Sequence, residues 1–339
     1  MKDDRKLFII IELLLAVVTV ILAVILFEEQ QPQTPKRISL VIQDSDASQW
    51  AALKYGMQMA AEDQDMTLFV VNTSASLTVA DELDTIKDEI SRGSAGIIVQ
   101  PLPGSQLQDQ LRQYAAKVPL ILIESQTTGT SADEQTATDE TAAAVSPAES
   151  LPVVEADHTG LGQALAQTIL SDYNGKLTGK TIGLVISNAG SAAAQAREAG
   201  FRQALQTSGA DISWTVAETD TDRLEAALPA QPQADIVAAL DSRSLTTAGS
   251  CAADKNLHGA VLYGIGNSTE AIYYLDTGLV KTLIVPDEFK IGYQSLTEIA
   301  KSIKRLLYQP QSQLVSFSLL KRDNLFAKEN QDLFYALSQ

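Results

Sequence analysis

Short apolar runs alternate with longer amphipathic stretches over most of the chain. Residues 96–99 (Gly-Ile-Ile-Val) and 120–123 (Leu-Ile-Leu-Ile) have the length and all-apolar character of strands buried on both faces. Between them, Leu107, Leu111 and Tyr114 recur at helical spacing. Each run stops abruptly in polar or turn residues, Gln100-Pro101 after the first and Glu124-Ser125 after the second. In an open parallel sheet, ligands bind just beyond the carboxyl ends of the strands. This unit therefore sets both the fold class and the place to look for a site.

The same alternation extends in both directions. Strands are predicted at residues 38–42, 67–71, 153–154, 181–186, 212–216, 235–240, 260–264, 282–285 and 314–319. Among the helices, Trp50, Leu53, Met57 and Ala60 mark one apolar face, and Val79, Leu83, Ile86 and Ile90 mark a second. Residues 161–169, 192–206 and 291–307 carry the same period. Strands alternating with helices predict parallel sheets with right-handed crossovers. Residues 127–150 break the pattern: they are rich in Thr, Ala, Ser, Asp and Glu and hold no aromatic side chain. Such a composition buries too little apolar surface to order itself and reads as an exposed acidic insertion.

The N-terminus carries a different signal. Residues 7–27 are almost wholly apolar, broken only by Glu12, and match the roughly 20 residues of a bilayer helix. Lys2, Arg5 and Lys6 precede the segment and Glu28 and Glu29 follow it. The positive-inside rule then places residues 1–6 in the cytoplasm and everything after the helix outside. A cleaved secretory signal is the alternative, but no small-x-small pair precedes Glu28, and the apolar core is at the long limit. Residues 28–36, with their prolines and glutamines, read as a stalk.

Composition narrows the function. A net charge of -17, with no basic cluster beyond the extreme N-terminus, disfavours nucleic acid as a partner. The single Cys251 cannot form an internal disulfide, and with His158 and His258 far apart no metal-ligand spacing can be built. Gly264-Ile265-Gly266 lacks the third glycine of a dinucleotide fingerprint. Asn188-Ala189-Gly190-Ser191, at a strand-to-helix turn, offers backbone N–H groups to an anion or simply starts a capped helix. No phosphate-binding loop, serine elbow or zinc-helix motif is present, so no cofactor and no catalytic residue are assigned.

A family resemblance rests on several stretches taken in order: Leu53-Lys54-Tyr55-Gly56, residues 95–101, residues 118–124, Ala156-Asp157-His158-Thr159-Gly160, residues 197–201 and Tyr263-Gly264-Ile265-Gly266. Together they resemble the type I periplasmic-binding-protein fold of the ribose and galactose sugar-binding group, shared by lactose-repressor ligand domains. The expected architecture is α/β, two-lobed with parallel sheets, preceded by one transmembrane helix. The resemblance implies three crossings between the lobes, near residues 125–153, 286–290 and 309–313. The membrane-proximal N-lobe would then hold residues 37–125 and 287–309, and the C-lobe residues 151–286 and 310–339. Residues 126–150 would form an insertion at the first crossing, either tuning closure or merely tolerated at the surface.

Family sites hold sugars with stacked aromatics and charged side chains. On that pattern the candidate ligand-binding residues are Asp44, Asp46, Gln49, Trp50, Gln100, Glu124, Gln195 and Asp241. Trp50 falls on an aromatic position of the family, or else packs at the start of the first helix. Asp44 and Asp46 accept hydroxyl protons or cap that helix. Glu124 replaces a hydroxyl-binding Asp, Ser125 and Gln195 stand where the family has Arg, Leu240 (beside Asp241) replaces an Asn, and Gly266 replaces an Asp. Asp157 matches a crossing residue that is more often structural than liganding. With most charged contacts altered, either the ligand differs from ribose or glucose or the cleft no longer takes a sugar. The expected function is a membrane-tethered extracytoplasmic solute-binding protein for ABC-type import, with a permease partner. The competing expectation is a sensor or scaffold subunit beside a membrane kinase.

Overall fold

The computed structural model describes residues 35–330 apart from residues 47, 75, 103–106, 125–150, 188 and 306, together with residues 15, 16 and 19. Residues 37–339 form one compact unit and residues 1–36 another. The expected transmembrane segment thus lies, but for three residues, outside the described residues, as does the 126–150 insertion. Among the described residues no helix is long and apolar enough to cross a membrane.

Two six-stranded sheets organise the larger unit. The first has the order β11-β5-β4-β3-β1-β2 and the second β12-β10-β9-β8-β6-β7. The strands of the first are β1 (Lys36–Val41), β2 (Met66–Val70), β3 (Gly96–Val99), β4 (Leu120–Ile123), β5 (Val153–Ala156) and β11 (Gln313–Val315). Those of the second are β6 (Thr181–Ile186), β7 (Asp211–Ala217), β8 (Ile236–Ala239), β9 (Val261–Ile265), β10 (Val280–Pro286) and β12 (Phe317–Leu320). β12 runs antiparallel to β10, while β6 to β10 pair in parallel.

The helices are α1 (Ala51–Asp63), α2 (Val79–Ser91), α3 (Leu107–Ala115), α4 (His158–Asp172), α5 (Ala192–Leu205), α6 (Thr221–Ala227), α7 (Ser242–Ala253), α8 (Thr269–Asp276) and α9 (Glu288–Lys304). Strand residues alternate between the faces of the first sheet. Ile38, Leu40, Ile98, Ile121 and Ile123 join a core with Leu53, Met57, Leu296 and Ile299 of α1 and α9. Val41, Ile97, Val99, Leu120 and Leu122 turn the other way, to Leu83, Ile86, Leu107 and Leu111 of α2 and α3. Burial on both faces is why these strands read as unbroken apolar runs.

Two helix pairs approach so closely that only glycine fits between them. A Cβ on Gly56 of α1 would lie 2.0 Å from the Phe289 carbonyl oxygen of α9, and one on Gly292 would lie 2.1 Å from that of Leu53. The second lobe repeats the device: a Cβ on Gly162 of α4 would lie 1.9 Å from the Arg197 carbonyl oxygen of α5, and one on Gly200 would lie 2.2 Å from that of Thr159.

Sheet membership moves two expected boundaries. β5 pairs with β4 through Leu122↔Val153 and Ile123↔Val154, so residues 153–156 belong to the first sheet, not to the second lobe. The first crossing therefore falls at Asp157, just before α4, and not within 125–153. The run 314–319, expected as one strand, is two strands divided at Ser316 and placed in different sheets. The third crossing is thus Ser316, beyond the expected 309–313. The second crossing lies at Asp287, between β10 and α9. All three sit side by side: Val315 pairs with Ala156, its carbonyl accepts from the Asp157 N–H at 3.2 Å, and Phe317 pairs with Pro286.

Candidate functional site

A cleft of about 230 Å³ opens at the carboxyl ends of both sheets. It is lined by Gln49, Trp50, Gln100, Glu124, Ser187, Ser191, Ala193, Arg197, Asp241, Ser242, Asn267 and Glu288. The topology explains the grouping. Gln100 follows β3, Glu124 follows β4, Ser187 follows β6, and Asn267 and Glu288 lie just beyond β9 and β10. Strand ends and helix starts from both lobes thus face one space, as parallel α/β architecture dictates.

Five of the residues expected from sequence line it: Gln49, Trp50, Gln100, Glu124 and Asp241. Trp50 is only 7% exposed and packs within the core, and it also contributes to the cleft wall. Its Nε1–H donates to the Gln43 carbonyl at 3.0 Å, which fixes the ring. Asp241 is largely committed to structure. Its carboxylate caps α7 through the Ser244 N–H at 2.8 Å and accepts from the Ser187 N–H at 2.8 Å and hydroxyl at 2.6 Å. It ties the end of β6 to the start of α7.

Asp44, Asp46 and Gln195 are not part of the lining. Asp44 has a φ of 52° in the turn after β1, where its N–H donates to the Ser74 carbonyl at 3.3 Å. Asp46 is exposed. Gln195 is exposed too, its amide 3.5 Å from the Ala189 carbonyl, whereas Arg197 reaches the cleft. Two residues along an α-helix is roughly 200° of rotation, so the two side chains leave α5 on opposite faces. Asp157, outside the lining, caps α4 by accepting from the Gly160 N–H at 2.8 Å.

A chain of polar groups runs across the hinge. Glu124 has a φ of 43°, in the left-handed region that side chains avoid. Its Oε1 accepts from the Ala156 N–H at 2.9 Å, and its Oε2 stands 3.1 Å from His158 Nε2, off the direction of an ideal hydrogen bond. Arg197 Nη1 lies 3.1 Å from His158 Nδ1. A guanidinium only donates, so Nδ1 accepts and the ring carries its proton on Nε2, towards Glu124. Burial would raise the Glu124 pKa, but His158, the Ala156 N–H and the Arg197 charge outweigh it and hold the carboxyl below its usual range. Burial lowers the Arg197 pKa against the opposing pull of Asp241, Glu124 and Glu288.

Glu288 stands at the opposite extreme. Burial first, then the charges of Glu124 and Asp287, push its pKa up to about 8 despite Arg197. Its Oε2, like Arg197 Nε, is shielded from solvent without a hydrogen-bond partner among the described residues. Each such atom costs about 1–3 kcal/mol unless something in the cleft supplies the missing bond. Opposite them, Ser242 Oγ donates to Asn267 Oδ1 at 2.8 Å and accepts from its N–H at 3.1 Å. Among the described residues no group of three His, Cys, Asp or Glu side chains could hold a metal ion.

Sequence reasoning missed Ser187, Ala193, Arg197, Ser242, Asn267 and Glu288, whereas Ser191 belongs to the turn singled out there and caps α5 through the Ala194 N–H at 3.1 Å. A signal existed for Arg197, which stands in one of the family-like stretches, and for Ser242 and Asn267, each beside a position already singled out. Glu288 lies within the expected crossing at residues 286–290, but only the fold shows that the first turn of α9 faces the cleft.

Comparison with known proteins agrees with this geometry. The chain is similar to the solved structure of GanP, a glucose-galactose binding protein from Geobacillus stearothermophilus (17% identity, TM-score 0.69, 86% of this chain and 99% of that one). It is similar to a carbohydrate transporter solute-binding protein from Agrobacterium radiobacter in complex with D-arabinose (15%, TM-score 0.71, 89% and 99%). It also resembles a chain of a XylFII-LytSN complex (15%, TM-score 0.67, 85% and 98%). No curated protein matches it in sequence. The sequence profile described as periplasmic binding protein domain matches residues 38–304, well over half of the 339 residues. With two lobes, three adjacent crossings and a cleft at the strand ends, the chain belongs to the periplasmic binding protein domain family.

Proposed function

We propose that the chain is an extracytoplasmic solute-binding protein that closes its two lobes around a small polar ligand, a carbohydrate, and is held at the membrane by residues 7–27. The observation that carries this reading is the cleft itself: polar side chains from both sheets converge on one small space beside three adjacent crossings. A ligand touching both lobes binds the closed form better and shifts the population towards it. The sugar-binding neighbours support the ligand class, and an ABC permease is the partner this reading expects. The candidate ligand-binding residues are Gln49, Trp50, Gln100, Glu124 and Asp241, joined by Ser187, Arg197, Asn267 and Glu288.

The test is thermal unfolding of the full chain in mild detergent against pentoses, hexoses, inositols, nucleosides and furanose signals. A ligand at 100 times its Kd adds about 2.7 kcal/mol of stability. One clear hit names the substrate class; no shift across the panel from a folded chain overturns the reading. The second reading is a sensor subunit beside a membrane kinase, favoured by the likeness to a chain of the XylFII-LytSN complex. Co-purification separates them: a permease supports import, a histidine kinase supports sensing.

A further inference from the structure

Two atoms in the cleft have no hydrogen-bond partner among the described residues. Arg197 Nε comes from α5 in the second lobe and Glu288 Oε2 from the first turn of α9, which packs on α1 of the first lobe. Both residues line the same small cleft. Of the donors around them, the Ala156 N–H serves Glu124 and Arg197 Nη1 faces His158 Nδ1, while His158 Nε2 stands 3.1 Å from Glu124 Oε2 off hydrogen-bond direction. The charged groups around Glu288 are Glu124 at the end of β4, Asp287 before it and Arg197 on α5, with Lys290 Nζ held 3.4 Å from Asp287. A shielded carboxyl oxygen without a partner among the described residues, with the carboxylates of Glu124 and Asp287 beside it, favours a proton on Glu288 over a second buried negative charge.

We infer that Glu288 takes part in ligand capture as a neutral carboxylic acid, donating a hydrogen bond from one lobe while Arg197 Nε–H donates from the other. The inference rests on the solute-binding reading and specifies its chemistry. A ligand that satisfies both must present two acceptor oxygens, one to each lobe, which is how it holds the cleft closed. A net charge on it gains little, because the lining sets the Glu124 and Asp241 carboxylates against the Arg197 guanidinium and repels a charge of either sign. The occupant is therefore a neutral polyhydroxyl compound, and its capture is linked to the proton on Glu288.

The test has two arms on the full chain in detergent. Without ligand, infrared difference spectra between pH 6 and pH 10 should show a protonated-carboxyl band that bleaches as pH rises. Glu82, with a pKa of about 7, contributes to that loss in both chains; the component that Glu288→Gln removes should be half lost near pH 8. A wild-type spectrum indistinguishable from that of Glu288→Gln overturns the neutral acid, whether or not a ligand is known. With ligand, neutral aldoses and inositols are compared with uronic acids, sugar phosphates and amino sugars by calorimetry. Wild-type affinity for a neutral compound should fall about tenfold from pH 7 to pH 9 as the protonated fraction falls. Glu288→Gln, which keeps an N–H donor in the same place, should bind without that pH dependence. Glu288→Ala and Arg197→Gln should each lose at least tenfold while unfolding as cooperatively as wild type. Tighter binding of a charged sugar, or Glu288→Ala behaving like wild type, overturns the ligand assignment. If no compound binds at all, the solute-binding reading and the ligand assignment fall together, and the infrared arm alone decides the state of Glu288.

Discussion

Gly162→Ala sets two effects of known sign against each other. In a helix interior, alanine is favoured over glycine by about 1 kcal/mol, so propensity alone expects a more stable protein. The crossing of α4 and α5 expects the reverse. The new Cβ would stand 1.9 Å from the Arg197 carbonyl oxygen, 2.8 Å from its carbon and 2.9 Å from the Phe201 nitrogen, all of them backbone atoms that no rotamer change can remove. Reaching ordinary contact would take a retreat of about 1.5 Å between helices whose packing is otherwise dense. Overpacking of this kind costs about 1–3 kcal/mol and sits at the upper end when the obstacle is backbone. The net expectation is a loss of about 2 kcal/mol, or roughly 4–8 °C in Tm at about 2–4 °C per kcal/mol. Gly200→Ala, on the other side of the same crossing, should cost a similar amount, and the double variant should cost less than the sum because one separation of the helices relieves both clashes. Differential scanning calorimetry measures all three. An unchanged or raised Tm for Gly162→Ala would refute the reasoning. Because Arg197 itself lies at the contact, the same variant should also weaken ligand binding.

Other expectations follow from single side chains. Glu82 is fully buried, its Oε2 accepts from the Leu102 N–H at 3.2 Å, and burial pushes its pKa up to about 7. Between the ordinary carboxyl range and pH 7 the folded chain holds a proton there that the unfolded chain has lost, so stability falls as pH rises through this window. Denaturant titrations of Glu82→Gln should lack that part of the fall, and an unaltered pH slope would contradict the assignment. Asp241→Ala should destabilise by about 2–3 kcal/mol, since it removes the α7 cap and leaves the Ser187 hydroxyl without its acceptor; urea unfolding reads this directly. Trp50→Ala should lower stability by about 3–5 kcal/mol as well as ligand affinity. Trp50→Phe should keep more of the affinity, and a Trp50→Ala chain as stable as wild type would place the ring outside the core.

Much of the scaffold could be read from periodicity, and the reason is burial. The predicted strands 96–99, 120–123 and 181–186 coincide with β3, β4 and β6, because central parallel strands are apolar on both faces and end sharply. The edges were harder. β11 and β12 read as one strand because Leu314, Val315, Phe317 and Leu319 form a continuous apolar pattern. Nothing local reveals that the chain changes sheets at Ser316. β5 was assigned to the wrong lobe for a related reason, since strand order is a property of pairing and not of sequence position. For the site, residues at strand ends such as Gln100 and Glu124 were accessible from the general rule of parallel sheets. Arg197 required the helical phase of α5, and taking Gln195 in its place put the wrong face of the helix towards the cleft. Glu288 required the path of the chain after β10. Its burial makes it important, and burial is decided by the three-dimensional arrangement of residues far apart in sequence.

The passage at Ser316 limits what the two lobes can do. On one side Val315 is locked to Ala156, and on the other Phe317 is locked to Pro286, so a single residue spans from one ladder to the next. One residue extends at most about 3.6 Å. The lobes therefore have no slack with which to drift apart. Opening has to be a swing about this short link, with Asp157 and Asp287 as neighbouring pivots, and the gap it creates grows with distance from the link. Groups close to the axis, Glu124 and His158 among them, would move least, while the far rim of the cleft would travel furthest and admit the solute. A residue inserted at 316 would turn the pivot into a loose tether, and the amplitude of the swing would no longer be set by the fold.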